Sequence, residues 1–434
     1  MNLRRHNDIV AVQTAEGIIA YHASNLEVAE ISAEAFEHMH AISLRTNSIP
    51  AGGLTPSEGG QSLSAWDKEV NANVKSGFVD YGIKYLTLNI TQICNLKCTY
   101  CAAGGDGTYG DPVNKINVEK TLPQLKFFLE KLPSGSSFNI SFVGGEPFLY
   151  PQAMKVIYDY IHSESAPRKL NCKFMVTTNA TLMSAEVIQM LSTMKIHVTV
   201  SLDGKNSTND QVRPTKDGKS STELTLQGIK NLVSIRKSLA SIGISAVFSK
   251  QNLAVEESYH FFKTLNVDWY EFNFSYLEKS FDVQAEFLHQ MQIIAELAWQ
   301  SGGETELRKI KAFNSYFETL DSQQRIENFC GAGKSYLMID AKNQLYVCPW
   351  VVGKKEEIVG VGSSIDSVKL TKYQKPLIEL NNCQTCWARF LCGGGCMFIN
   401  QIHTGDKHKK DDLFCERTRG LILLGIMYYK KARA

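Results

Sequence analysis

The chain has 434 residues, of which 44% are hydrophobic and 21% charged, and its formal net charge is +2. Such a length predicts two or three domains with ample core, and the near-neutral charge excludes nucleic-acid or membrane binding driven by net electrostatics. No apolar run reaches the roughly 18 residues that a membrane-spanning helix needs, and the opening Met-Asn-Leu-Arg-Arg-His-Asn-Asp leads into no signal-peptide core. A cytosolic location is therefore expected, where eleven cysteines point to metal or catalysis rather than to disulfides.

In chain order, Ile9–Val12 and Gly17–Tyr21 read as a β-hairpin, and Ser32 as the cap of a helix running to Met39. Residues 47–64, rich in Gly, Ser and Pro, read as a linker. Leu86, Leu88 and Ile90 alternate as in a strand, and the loop after it carries Cys94, Cys98 and Cys101 in a C-x3-C-x2-C spacing. Three thiolates are one too few to close a four-iron cubane, which leaves one iron open to a small molecule. They are also one short of the usual zinc complement, and the x3 gap departs from paired C-x2-C ligands.

A helix is expected over Val118–Lys131 and a strand over Phe138–Val143. Gly144, Gly145, Glu146 and Pro147 follow at once: glycines admit close backbone approach and a carboxylate accepts from an ammonium, although a plain turn fits as well. The next strand, Leu170–Val176, carries Cys172, a lone cysteine expected to act as a small hydrophobe. After it come Thr177, Thr178, Asn179, Ala180 and Thr181, short polar side chains suited to a ribose or to helix capping. Ser184 reads as an N-cap with Val187, Leu191 and Met194 on one helical face. Strands at Ile196–Val200, Ile244–Phe248 and Tyr270–Phe274 complete a βαβα rhythm of about six units. That rhythm defines an α/β class with a parallel sheet, whose sites lie at the carboxyl ends of strands. Ser201, Leu202, Asp203 and Gly204 stand at one such end.

The last third holds Cys330, Cys348, Cys383, Cys386, Cys392, Cys396 and Cys415. Seven cysteines exceed one tetrahedral site and suit two multinuclear sites better than a zinc ribbon. A hairpin, Tyr336–Asp340 with Leu345–Val347, is expected to bring Cys330 and Cys348 together. None of the ten histidines forms an H-E-x-x-H pair, and no general base stands out among the aspartates and tyrosines.

The run Cys94-x3-Cys98-x-Tyr100-Cys101 resembles the radical S-adenosylmethionine (SAM) superfamily. That resemblance implies a partial (βα)6 barrel, a SAM-chelating [4Fe–4S] cluster, and reductive cleavage of SAM to a radical that takes hydrogen from substrate. It also implies that Tyr100 belongs to the cluster motif and that Gly144–Pro147 hold the SAM amino group; Asn179 is the candidate for the ribose on side-chain chemistry, with helix capping as its alternative. Ser201 and Asp203 would lie beside methionine and ribose. Arg213 would pair with the SAM carboxylate, the alternative being a solvated loop charge.

The second cysteine group resembles the SPASM domain, which holds two auxiliary iron–sulfur clusters. The resemblance assigns Cys383, Cys386, Cys392 and Cys415 to the outer cluster and Cys330, Cys348 and Cys396 to the inner one. Asn343 replaces a family glycine, a change that a left-handed backbone tolerates. No cysteine follows Cys330 before Cys348, so the inner cluster has either a non-cysteine ligand or an open iron.

The resulting division is residues 1–83 as a leader-recognition-like element with linker, 84–300 as the barrel and 301–434 as the auxiliary-cluster domain. The stretch Cys101–Gly110 resembles maturases of ribosomally made peptides, closest to the cyclophane-forming triceptide and darobactin group. This implies a precursor peptide as partner, C–C or C–O–C crosslinking to an aromatic ring, and an external donor such as flavodoxin or ferredoxin. A thioether-forming sactionine maturase, a sulfatase-maturing enzyme and a non-catalytic zinc module are the alternatives.

Overall fold

The structure, a computed structural model, describes residues 2–45, 58–76, 82–101, 110–112 and 115–434. The chain divides into two compact units: Met1–Val79 with Lys279–Cys330 and Lys375–Ala434, and Asp80–Glu278 with Gly331–Gln374.

In the first unit the expected hairpin is part of a larger sheet. Strands β1 (Asn2–His6), β2 (Ile9–Gln13), β3 (Ile18–His22), β4 (Glu27–Glu30) and β5 (His40–Ala41) lie antiparallel in the order β4-β3-β2-β1-β5. β1 escapes the hydrophobic pattern because it buries Leu3 and Arg5, and an arginine does not read as an inward position. Ser32 caps the helix Ala33–Glu37 as expected, accepting from Ala35 N at 3.1 Å.

The linker expectation is corrected over its second half, where Glu58–Lys68 forms a helix. Gly59 and Gly60 serve packing there, since a Cβ on them would stand 2.7 Å from Ala35 N and 2.2 Å from His38 Nε2. Residues 47–57 of that stretch lie outside the described residues.

The sheet has two apolar faces. Ile9, Ala11 and Ala20 pack on Phe36, Met39 and Leu63. Leu3, Val10, Val12 and Tyr21 share a core with Trp387, Phe390, Leu391, Ile422 and Ile426. The amino-terminal sheet and the carboxyl-terminal cysteine segment therefore bury one common surface, which neither could exclude from water alone.

In the second unit, β6 (Tyr85–Asn89), β7 (Ser137–Val143), β8 (Asn171–Thr178), β9 (Ile196–Ser201), β10 (Ser241–Phe248) and β11 (Trp269–Phe274) pair in parallel in sequence order. The strands foreseen from the sequence are present, with ends moved by no more than three residues. Register places Leu88, Phe142, Val176, Val198, Ile244 and Phe272 on the face that the crossover helices cover; Tyr158 meets Phe174 at 4.4 Å and Phe262 meets Phe272 at 6.0 Å between ring centroids. The opposite face carries Thr87, Ser141, Thr177, Thr199, Ser201 and Ser245. An interior lined with short polar groups suits a ligand rather than the layered apolar filling of a closed barrel.

The sheet continues beyond β6 through β12 (Tyr336–Ile339), parallel to it, and then antiparallel through β13 (Gln344–Tyr346), β14 (Ile358–Val361) and β15 (Ser364–Ile365). Asn343 turns the β12–β13 hairpin at φ +62°, the left-handed conformation foreseen for it. Its Nδ2 donates to Thr121 Oγ1 at 2.7 Å.

Candidate functional site

The three-cysteine loop is clamped by backbone on two sides. On one, Ile90 N donates to Val143 O at 2.8 Å, Gly145 N to Thr91 O at 2.8 Å and Glu146 N to Ile93 O at 3.0 Å. A Cβ on Gly145 would stand 2.1 Å from Ile93 C, and one on Gly144 2.5 Å from Thr91 O. The close approach that these glycines permit is thus made by the cysteine loop itself. On the other side, Lys97 N donates to Pro214 O and Thr99 N to Val212 O, both at 2.9 Å.

Glu146 is 1% exposed. Its Oε1 accepts from Thr178 Oγ1 at 2.7 Å and Phe148 N at 3.1 Å, and its Oε2 from Asn179 N at 2.8 Å. Burial raises its carboxyl above the ordinary range against the pull of these bonds. Pro147 opens the short turn that Glu146 caps. Asn179 Nδ2 donates to Asn95 Oδ1 at 2.9 Å and stands 3.8 Å from Cys94 Sγ. The loops after β7 and β8 thereby meet at Cys94.

The third strand-end motif closes the other flank. Asp203 is fully buried, accepting from Val247 N at 2.8 Å and from Tyr100 Oη at 2.5 Å. Arg213 donates to Tyr100 Oη, and its Nη1 is 3.8 Å from Asp203 Oδ2. At 8% exposure Arg213 is not a solvated loop charge. Tyr100 bridges a buried ion pair, and the guanidinium acts on Cys98. Ser201 is half-buried at the end of β9.

Burial, with Glu146 next, pushes the Cys94 thiol up to about 12, and burial pushes Cys98 up to about 11. Thiols so costly to ionise alone fit a site where a bound metal cation holds them as thiolates. Residues 102–109, which carry the glycine-rich run after Cys101, lie outside the described residues.

Two features escaped the sequence reading. Tyr276, just past β11, is raised by burial and by the charge of Cys101, and its ring centroid lies 5.1 Å from that of Trp350. Glu271 is the one acidic residue within the six parallel strands, and Ser245 Oγ donates to its Oε2 at 3.1 Å. A lone carboxylate among strands with no other acidic residue was the available signal.

In the first unit, Cys383, Cys386, Cys392 and Cys415 line one cavity of about 220 Å³ together with Arg45, Arg389, Lys410 and Arg419. Cys415 stands in the first turn of the helix Asp412–Lys431, which Asp411 caps by accepting from Phe414 N at 2.8 Å. Cys392 ends a short helix and is followed by three glycines at φ +74°, +93° and +82°. That left-handed run lets the chain double back, and a Cβ on Gly394 would stand 2.6 Å from Leu377 C. Burial and the three neighbouring sulfurs raise Cys392 far above an ordinary thiol.

Cys396 is raised by burial, with Cys330 a lesser cause. Cys348 belongs to the other unit and opens the turn Pro349–Val351. Cys172 is half-buried near the start of β8, with its Sγ 3.0 Å from Ser165 Oγ. Among the described residues no three His, Cys, Asp or Glu side chains are gathered tightly enough to hold a single metal ion. Zinc needs its sulfurs about 2.3 Å from one centre, whereas a four-iron cluster gives each thiolate its own iron and a wider seat. No helix among the described residues is long and apolar enough to cross a membrane.

The family model of the radical SAM superfamily matches residues 88–262. That segment holds the three-cysteine loop and the loops after β7 and β9. SAM and a [4Fe–4S] cluster are the cofactors of the family matched by that segment, and the carboxyl-terminal cysteines are consistent with auxiliary clusters.

The chain is 25% identical to the mycofactocin maturase MftC of Mycobacterium tuberculosis, over 72% of its own length and 78% of that protein's. It is 23% identical to the serine-type anaerobic sulfatase-maturating enzyme of Klebsiella aerogenes, over 71% and 78%. Among solved structures it resembles anSMEcpe with bound AdoMet and Cp18Cys peptide, with a TM-score of 0.65, 18% identity, and coverage of 80% of this chain and 98% of that one. It also resembles Streptococcus suis SuiB bound to precursor peptide SuiA, with a TM-score of 0.51, 16% identity, and coverage of 95% and 99%. At these identities the two structures bear on the fold alone.

Proposed function

We propose that this chain is a peptide maturase that removes a hydrogen atom from a side chain of a ribosomally made precursor and joins that side chain to an aromatic residue. The carrying observation is the convergence of three strand-end loops on one cysteine loop; the other unit separately holds a four-cysteine cavity. SAM and its cluster supply the radical chemistry when bound. Cys94, Cys98 and Cys101 hold the cluster, Gly144–Pro147, Asn179, Ser201 and Asp203 form the SAM side of the seat, and Arg213 supplies its buried cation. The relatives MftC and the sulfatase-maturating enzyme, both maturases by name, support a peptide substrate. In this reading residues 1–83 receive the precursor, 84–300 perform the chemistry and 301–434 carry electrons away, with a flavodoxin or ferredoxin as donor.

A second reading, oxidation of a serine or cysteine to formylglycine, is favoured by the sulfatase-maturating relative. Anaerobic protein given SAM and dithionite is expected to release 5′-deoxyadenosine, and co-expressed candidate peptides are then read by tandem mass spectrometry. A ring that loses two hydrogens and resists fragmentation supports crosslinking. An aldehyde trapped by a hydrazine supports the second reading, and iron-free protein that leaves SAM intact refutes both.

A further inference from the structure

Three arginines are buried around the four-cysteine cavity: Arg5, Arg389 and Arg419 are 5%, 7% and 7% exposed. A buried cation is costly without an anion close by. Arg389 has one, since its Nη1 and Nη2 donate to Asp8 Oδ1 and Oδ2 at 2.9 and 2.5 Å. Among the described residues Arg419 donates to backbone carbonyls, those of Leu44 and Arg45, the latter at 2.7 Å. These neutral acceptors leave its charge uncancelled. Arg419 and Arg389 both line the cavity, and the charge of Arg419 acts on Cys383 and Cys415 while that of Arg5 acts on Cys386. Arg45 and Lys410 add two cations on the exposed side of the same cavity, against the single carboxylate of Asp412.

The cavity therefore presents four thiol ligands inside an excess of fixed positive charge. A four-iron cluster held by four thiolates carries two negative charges when oxidised and three when reduced. Cations fixed beside it favour the more negative form, and burial keeps solvent from screening them.

We propose that Arg419 and Arg389 raise the reduction potential of the cluster bound by Cys383, Cys386, Cys392 and Cys415, poising it to receive an electron, and that Asp8 trims this effect through Arg389. The inference rests on the auxiliary-cluster reading of this cavity and adds to it the direction in which electrons run. It also gives the turn between β1 and β2 a redox role, because Asp8 sits there and reaches Arg389 across the shared core of the unit.

The test is an anaerobic redox titration of the reconstituted full chain, followed by electron paramagnetic resonance. The relevant signal is the one that Cys383→Ala removes. At a fixed applied potential, Arg419→Gln is expected to lower the reduced-to-oxidised ratio about tenfold, equivalent to about 59 mV for a one-electron couple. Asp8→Asn is expected to raise it about threefold, and Lys410→Gln, at the solvated edge, to lower it about twofold. Iron content and absorption spectrum should stay at wild-type values, which separates tuning from collapse of the site.

If Arg419→Gln does not retain iron, the opposite signs of Asp8→Asn and Lys410→Gln decide. Opposite shifts uphold the proposal; unmoved potentials, or shifts in one direction regardless of charge, overturn it. A wild-type protein with no signal sensitive to Cys383→Ala refutes the auxiliary-cluster reading itself, a result distinct from an unshifted potential.

Discussion

The two cysteine sites are built on opposite electrostatic plans. Around Cys94, Cys98 and Cys101 the protein balances its own charges: Arg213 is matched by Asp203 through Tyr100, and Glu146 is satisfied by Thr178, Asn179 and Phe148. Around Cys383, Cys386, Cys392 and Cys415 cations outnumber carboxylates in the cavity lining, and Asp8 answers Arg389. On the proposed reading the first site admits a charged sulfonium nucleoside, which pre-paired groups that need little rearrangement would serve. A closed four-thiolate site brings its own negative charge, and the protein supplies the counter-charge.

The contrast is broken most severely at the sulfurs. Cys98→Ala is expected to reduce 5′-deoxyadenosine release to the enzyme-free background. Cys386→Ala should keep that release while stopping product, so a chromatographic assay for both compounds tests whether the sites divide the work.

Arg213→Met comes next, because it strands Asp203 as an unmatched buried carboxylate. A loss of about 3–5 kcal/mol in chemical denaturation of the metal-free protein is expected, with partial recovery in Arg213→Lys. Gly145→Ala forces a methyl against the Ile93 carbonyl carbon. It should cost about 1–3 kcal/mol and lower the iron retained at the three-cysteine loop, with the four-cysteine site unaffected.

The pH dependence of stability sharpens the same comparison. Burial raises the Asp8 carboxyl, but the bonds from Arg389 and Ser24 outweigh it and bring it below the ordinary value. A folded-state value below the unfolded one means that Asp8 stabilises above the ordinary carboxylate range near pH 4. That contribution is lost as pH falls through the lowered value. Acid titrations of stability should therefore show a shallower acid limb in Asp8→Asn than in wild type.

The smallest effect lies away from both sites, at Asn343→Gly. Relief of the left-handed conformation and loss of the bond to Thr121 nearly cancel, giving a change within about 1 kcal/mol. Asn343→Ala keeps the conformational cost and loses the bond, so thermal melts should rank it lower.

Local chemistry was legible in the sequence. The spacing of Cys94, Cys98 and Cys101, the alternation that made six parallel strands, the cap at Ser184 and the turn at Asn343 all depend on near neighbours. Period and propensity report near neighbours directly. The helix Glu58–Lys68 was hidden because Gly59 and Gly60 read as flexibility, whereas their use is contact with Ala35 and His38. β1 was hidden because an inward arginine breaks the pattern.

What only the tertiary structure decided is where charge is cancelled and where it is left standing. Tyr100, Asp203 and Arg213 come from separate segments, as do Asp8 and Arg389, which lie 381 residues apart. Pairing across such separations is set by packing of a shared core, and burial is what makes each pairing matter. A sequence names the ionisable groups; the fold fixes their distances and their solvent, on which electrostatic free energy depends.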